Sequence, residues 1–432
     1  MNPLRFSFLL ALLSILSVVA PAFAYEGIVE KKEFKMDRYD TVGGGTIFDV
    51  KIGWESYGNL NAAKDNVILI THSFSYTSHA AGRYSSSDTS RGYWDAIIGA
   101  KKAIDTDKYY VISSDTLINL HAISDPKAPN PPGANNRVIT TGPASPNPGD
   151  GGKPYGLKFP LVTILDFVRV QKALLDSLGI TSLHAVAGLS MGAFQTMEWG
   201  NAYPNMVKRI IPVAGHAQSD PYLVGVSYVA KAFIKLDPKW KGGEYPLNDQ
   251  PIEGIKGARN VMALFILHWK WAEQFGRDWA DPKKSSVRRE NFDDKYKIDV
   301  FLEEGADAFA KTVDANTFLY RIKTTKDHII GKSGSLEEEL ARIKAPVLFI
   351  YTPDDLVIPD GKVCETARMI RAARDQAGNR AMVEVVEIDG DTGHMDSILF
   401  IEQAASRIER FLDREPYETP RRRARRRDDG CS

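Results

Sequence analysis

Six short runs of aliphatic, β-branched or aromatic residues punctuate the chain: NVILITHSF at 66–74, YYVISSD at 109–115, LHAVAGLS at 183–190, RIIPVAG at 209–215, APVLFIYTPDD at 345–355 and MVEVVEIDG at 382–390. Each is nearly continuous in apolar residues rather than alternating, which is the pattern of strands covered on both faces. Between them lie stretches with apolar positions three and four apart, such as FPLVTILDFVRVQKALLDSLGI at 159–180. Strands alternating with helices predict an α/β class: a mostly parallel sheet with helices on both faces.

The pattern breaks in two places. From 217 to 335 the strand runs stop and helical text takes over, for example YLVGVSYVAKAFIKLDPKW and GARNVMALFILHWKWAEQF; this predicts a helical lid inserted between two sheet strands. Residues 124–157 are dense in Pro, Gly and Asn, a long irregular excursion of the kind that usually serves function. The last amphipathic segment, MDSILFIEQAASRIERFLDRE, predicts a helix and is followed by PRRRARRRDDGCS, a basic tail expected to be disordered and solvated. The expected organisation is a core of 25–216 and 336–414, a lid of 217–335 and a tail of 415–432.

The N-terminus changes the picture. Arg5, an apolar run from Phe6 to Ala20 and an Ala22-Phe23-Ala24 ending read as a secretory signal cleaved after residue 24. The run is short for a membrane span, so no stable anchor is expected after cleavage, and the mature protein is expected to be periplasmic or secreted. Charge adds little: 55 Lys and Arg balance 55 Asp and Glu, which argues against nucleic acid as a partner. Two cysteines, Cys364 and Cys431, permit one bridge in an oxidising compartment but do not make a disulfide scaffold. His72 and His79 stand apart from other ligand types and read as loop or core histidines, so neither a metal nor another cofactor is called for.

The candidate chemistry centres on Gly188-Leu189-Ser190-Met191-Gly192. A G-x-S-x-G pentapeptide is weak alone, but this one follows a strand-like run and precedes a helix-like one. That is the setting of a nucleophile elbow, in which glycines allow strand and helix backbones to approach closely. A serine hydroxyl needs a base, and the base an oriented acid. Both come later in the chain, in the order used by α/β-hydrolases: Asp354 and Asp355 end one strand run, and His394 follows the next. The D-x-V-x-P spacing favours Asp355 over Asp354. The oxyanion donors expected are the amide of Met191, after the nucleophile, and that of Phe74, in the loop after an early strand. Tyr228, Trp269 and Trp271 in the lid are candidates for the pocket wall, although aromatic residues at helical spacing more often belong to a core.

Seven segments in order resemble the homoserine O-acetyltransferase family: WESYGNLNAAKDNVILITHSFSYTSH, GYWDAIIGAKKAIDTDKYYVISSD, TTGPASPNP, KPYGLKFPLVTILDFVRVQKALLDSLGI, GLSMGAFQTMEWG, LDPKWKGGEYP and TGHMDS. The resemblance implies the α/β-hydrolase fold, Ser190, Asp355 and His394 as nucleophile, acid and base, and a homodimer formed through the lid. It also implies a substrate carboxylate contact at position 231, where this chain has Lys rather than Arg. After the histidine the family pattern has Asp; here Met395 intervenes and Asp396 follows. Acyl-CoA is a cytoplasmic donor, so an exported member is expected to cleave a small acyl substrate with water as acceptor. An acyl-CoA-dependent O-acyltransferase is the alternative, and a binding protein without catalysis the third reading, which the intact Ser, Asp, His order disfavours.

Overall fold

Among the described residues ten strands form: β1 Lys32–Asp40, β2 Thr46–Tyr57, β3 Val67–Thr71, β4 Ile98–Gly99, β5 Ile104–Asp105, β6 Tyr110–Ser114, β7 Ala185–Leu189, β8 Ile210–Val213, β9 Val347–Tyr351 and β10 Val383–Glu387. The computed structural model describes residues 27–122, 138–283, 291–331, 335–379, 381–414 and 431. The expected signal segment, residues 124–137 of the Pro-rich excursion and nearly all of the basic tail lie outside the described residues.

Eight strands make one sheet in the order β1-β2-β6-β3-β7-β8-β9-β10, and β4 pairs with β5 apart from it. From β6 to β10 all pairings are parallel, while β1 with β2 and β2 with β6 are antiparallel. Every residue of β3, β7, β8 and β9 is buried, as continuous apolar runs require. Each Val, Leu, Ile or Phe side chain among them contributes about 1.5–3 kcal/mol relative to exposure.

Helices α1 Ile164–Ser177 and α2 Met191–Ala202 follow β6 and β7. Thr163 and Asp166 cap α1 reciprocally, so the helix begins five residues into the expected 159–180 stretch. A buried relay joins these helices to the end of β3: Trp199 Nε1 donates to Gln171, Gln171 to Gln195 (both 2.8 Å), and Gln195 to the His72 carbonyl at 3.2 Å.

Between β8 and β9 the chain forms α3 Pro221–Leu236, α4 Ile252–Ile266, α5 Trp269–Ala272, α6 Lys297–Ala310, α7 Ala315–Lys326 and α8 Leu336–Ala341. Ala230, Ile234, Ile255, Ala258, Phe318 and Ile322 belong to a second apolar cluster within this region. The helix-like text at 257–275 breaks after Ile266 because His268 turns extended, donates its N–H to Thr392 O and caps Lys270 N. After β9 and β10 come α9 Asp360–Ala377, α10 Asp396–Leu399 and α11 Ala405–Asp413. The expected last helix is thus interrupted: the Ser397 carbonyl accepts the Trp94 indole N–H at 3.3 Å instead of continuing a helical ladder. Cys364 of α9 bonds Cys431, with Cα atoms 5.4 Å apart, closing 67 residues of chain onto the body.

Candidate active site

Four chain segments leave the C-terminal ends of parallel strands and meet: the loop after β3, the β7–α2 junction, the loop after β9 and the loop after β10. Ligands of open parallel sheets bind at this edge. With α4 and α6 they enclose a cavity of about 340 Å³, lined by Ser73, Phe74, Ser190, His394, Met395 and apolar side chains of the helical insertion.

Ser190 has φ 58° and ψ −121°, a region that costs of order 1–3 kcal/mol for a residue with a side chain. The surrounding packing holds it there. Its N–H donates to Val213 O at 2.8 Å, and its carbonyl accepts from Ala193 N at 2.7 Å. A Cβ on Gly188 would lie 2.0 Å from Thr71 Oγ1, and one on Gly192 would lie 2.0 Å from Thr71 O. Both glycines are therefore required by the approach of β3 to the junction, and the strained turn carries the Ser190 hydroxyl into the cavity.

His394 Nδ1 donates to Asp355 Oδ2 at 2.6 Å. The other carboxylate oxygen, Oδ1, accepts from the Val357 and Ile358 amides at 2.8 and 2.9 Å. Asp355 is buried and held from both sides, so it fixes the imidazole with Nδ1 protonated and Nε2 left to accept. Asp354 instead forms an ion pair with Lys270 at 2.7 Å. Among the described residues no protein hydrogen bond ties Ser190 Oγ to His394, a looseness common in unliganded sites.

Of the two expected oxyanion donors, Met191 directly follows the serine and Phe74 lines the same cavity. Met191 N–H is the first of α2, where no intrahelical acceptor exists, and among the described residues neither it nor Phe74 N–H has a protein acceptor. The Phe74 amide is aimed by what holds the other side of its peptide. Ser73 O accepts from His72 Nδ1 at 2.8 Å and from Arg321 Nη2 at 3.1 Å. In a trans peptide the N–H points opposite the carbonyl, so the Phe74 N–H faces away from Arg321. Arg321 also binds Phe74 O at 3.1 Å and Thr116 Oγ1 at 2.6 Å. Burial lowers the guanidinium to about 9 and the His72 imidazole well below its usual value.

Arg321 and the clamping role of His72 escaped the sequence reading. The signal available was position: Phe318, Arg321, Ile322 and Thr325 share one buried face of α7, and an arginine on such a face needs acceptors. Lys231 requires correction, since it is not among the cavity-lining residues. Its ammonium lies 5.5 Å from the ring centroid of exposed Tyr228, where it keeps its hydration instead of entering an apolar cavity. Tyr228 and Trp269 are exposed and belong to no core, whereas Trp271 is buried and lines the cavity. Met395 also lines it. Asp396 does not: it is fully buried, accepting from Thr392 N and Thr352 Oγ1 at 3.0 Å.

No family model matches the chain. Homoserine O-acetyltransferase of Methanosphaerula palustris is 37% identical over 86% of this chain and 70% of its own length. That of Symbiobacterium thermophilum is 36% identical over 85% and 90%. The chain belongs to the homoserine O-acetyltransferase family. Among solved structures, the homoserine O-acetyltransferase of Bacillus anthracis is 34% identical with a TM-score of 0.81, covering 91% of this chain and 100% of its own. Esterase E22 is 41% identical with the same TM-score of 0.81, covering 89% and 100%. Membership of the homoserine O-acetyltransferase family, with these neighbours, makes the chain an acyl-transfer enzyme of α/β-hydrolase fold.

Proposed function

We propose that this chain is an exported esterase that cleaves acyl esters through an acyl-Ser190 intermediate. Ser190 Oγ attacks the ester carbonyl and passes its proton to His394 Nε2; the oxyanion is held by the Phe74 and Met191 amides. His394 then protonates the departing alkoxide. Water, deprotonated by the same imidazole, attacks the acyl-serine and releases the acid, and the proton returns to Ser190. Asp355 keeps the imidazole in the tautomer that both steps need.

The observation that carries hydrolysis over transfer to homoserine is the pairing of Met395 in the cavity with Asp396 in the core. The position that follows His394 carries a thioether rather than a carboxylate that could hold an ammonium group, and Lys231 is not among the residues lining the cavity. A mostly apolar wall suits the acyl chain of an ester better than a zwitterion. The 41% identity to esterase E22 supports the same reading.

Export is supported by the N-terminal pattern and by the Cys364–Cys431 bridge, because such bonds persist in oxidising compartments. Tyr222, Val229, Phe233 and Leu236 form an exposed apolar face on α3; it suits a homodimer through the lid, which light scattering would report as twice the chain mass.

The deciding assay measures purified protein with short-chain p-nitrophenyl esters and, separately, with acetyl-CoA plus homoserine. Ester hydrolysis without homoserine-dependent CoA release is expected. CoA release with no appreciable hydrolysis would establish the acyltransferase instead. Fluorophosphonate labelling that vanishes in Ser190→Ala is expected for either, and an unlabelled wild type would point to a binding protein.

A further inference from the structure

The loop after β3 has its carbonyls bound one after another by side chains. Ser73 O and Phe74 O accept from Arg321, Ser75 O accepts from His121 Nε2 at 3.1 Å, and Tyr76 O accepts from Asn119 Nδ2 at 3.3 Å. The course of the loop that carries the Phe74 amide is therefore set by partners outside it. Two of those partners come from the segment just after β6, and that segment is strained. Ile118 has φ 52°, a conformation that costs of order 1–3 kcal/mol for a residue with a branched side chain. Its N–H donates to Thr141 O at 3.0 Å, and Asn119 N–H donates to Thr140 Oγ1 at 3.1 Å. The residues next after the strained turn, Asn119 and His121, are the two that reach the loop.

His121 is buried and lines the cavity. A carbonyl only accepts, so Nε2 carries the proton given to Ser75 O. Burial pushes the imidazole down to about 4, so it is neutral near pH 7 and Nδ1 is left to accept from Thr312 Oγ1 at 2.9 Å. Thr312 lies in the turn between α6 and α7, in the helical insertion. Phe309 of α6 also lines the cavity and meets the imidazole edge-on, with ring centroids 5.9 Å apart. One imidazole, in one tautomer, thus joins the loop after β3 to the α6–α7 turn. An apolar ring would fill the same space without two hydrogen bonds to satisfy; what the imidazole adds is direction at both ends.

We propose that His121 is a positioning residue that ties the oxyanion loop to the helical insertion, so that the Phe74 donor is aimed only while the α6–α7 turn is docked. This rests on the acyl-serine mechanism and is independent of the acceptor. The test is steady-state hydrolysis of p-nitrophenyl acetate together with the rate of fluorophosphonate labelling. His121→Phe keeps a ring but breaks both ends of the tie; kcat and the labelling rate are expected to fall about tenfold, the worth of one net hydrogen bond, with KM within about threefold. Thr312→Val leaves the bond to Ser75 O in place and touches only the far end, yet should lower kcat about threefold. The double variant should be no slower than His121→Phe, since both changes break one link. His121→Gln, whose amide donates at one end and accepts at the other, should recover part of the loss. A kcat within twofold of wild type in Thr312→Val overturns the proposal, as do losses that multiply in the double variant. Should the wild type neither hydrolyse esters nor take the label, the acyl-serine reading fails by itself. Hydrogen exchange then decides the tie: faster exchange of residues 73–79 in Thr312→Val, with residues 164–177 unchanged, upholds it, and unchanged exchange of 73–79 overturns it.

Discussion

Replacing Arg321 tests whether the Phe74 amide is an oxyanion donor that this side chain aims. Arg321→Met fills much of the same volume but withdraws the donors to Ser73 O and Phe74 O, each at 3.1 Å, and to Thr116 Oγ1. Loss of one oxyanion donor costs about 10²–10³ in kcat. Ser73 O keeps its bond from His72, so the lower end applies: about 100-fold, or roughly 2.7 kcal/mol at 1.36 kcal/mol per decade. Stability responds less. The unpaired carbonyls cost about 1–3 kcal/mol, and relief of a buried charge offsets part of that. Steady-state hydrolysis of p-nitrophenyl acetate should show kcat down about 100-fold with KM within about threefold, since the donor acts on the transition state. The rate of fluorophosphonate labelling, which also passes through the oxyanion hole, should fall in parallel. Arg321→Lys, with one point charge in place of a fork, should recover part of the loss. A folded Arg321→Met protein with kcat within threefold of wild type would refute the reasoning, because the clamp would then be structural only.

Four further outcomes follow from the geometry. Asp355→Asn should lower kcat by about 10⁴ by reversing the His394 tautomer, whereas Asp354→Asn, which loses only an ion pair with Lys270, should leave kcat within threefold. Gly192→Ala should abolish activity or folding, since its methyl would lie 2.0 Å from Thr71 O; a soluble, fully active variant would show that the elbow relaxes. Cys431→Ser should cost about 4 kcal/mol by the loop-closure relation for 67 residues, read as a Tm lowered by about 5 °C, with dithiothreitol giving the same shift in wild type. Burial depresses His121 and His184 to about 4 and His328 to about 3; the unfolded state therefore binds more protons between those values and about 6.5. Stability is full above pH 6.5 and is lost as pH falls toward 4, by about 2 kcal/mol per histidine between pH 7 and 5; urea titrations should show the loss, and His184→Gln should remove its share.

The six strand runs and the elbow were legible because they depend on local pattern: apolar continuity marks a strand covered on both faces, except at β10, an edge strand of which only Val385 is buried, and flanking glycines mark a close turn. The family resemblance extended that reading to the fold and the acid and base positions. Strands β1 and β2 gave no such run. In β1, KEFKMDRYD, charged residues alternate with Phe34, Met36 and Tyr39, and most positions are half-buried or exposed at the sheet edge. The breaks at His268 and Ser397 were equally silent, because each is imposed by a partner far along the chain: Thr392 for the first and Trp94 for the second. Arg321 lies in the same class. Its partners are 203 to 248 positions away, and only the fold brings them together.

What separates esterases from acyltransferases on this scaffold is therefore sought above the serine rather than at it. In the proposed mechanism the serine, histidine, acid and amide donors serve any acyl transfer, and they are held by contacts that ignore the acceptor: glycines against Thr71, paired amides on Asp355, Arg321 on the Ser73 and Phe74 carbonyls. Acceptor choice falls to residues whose placement turns on a single step of register. With one residue inserted after His394, a thioether enters the cavity and a carboxylate goes to the core, where it accepts from Thr392 and Thr352. Deleting Met395 to bring an acid next to His394 would strip Thr392 and Thr352 of that partner, so the gain of an ammonium contact would come with a loosened His394 loop. Acceptor specificity and the stiffness of the catalytic base are coupled through Asp396. A change of acceptor then calls for repacking of Thr352 and Thr392 together with the deletion, and the deletion alone is expected to lower hydrolysis without conferring transfer to homoserine.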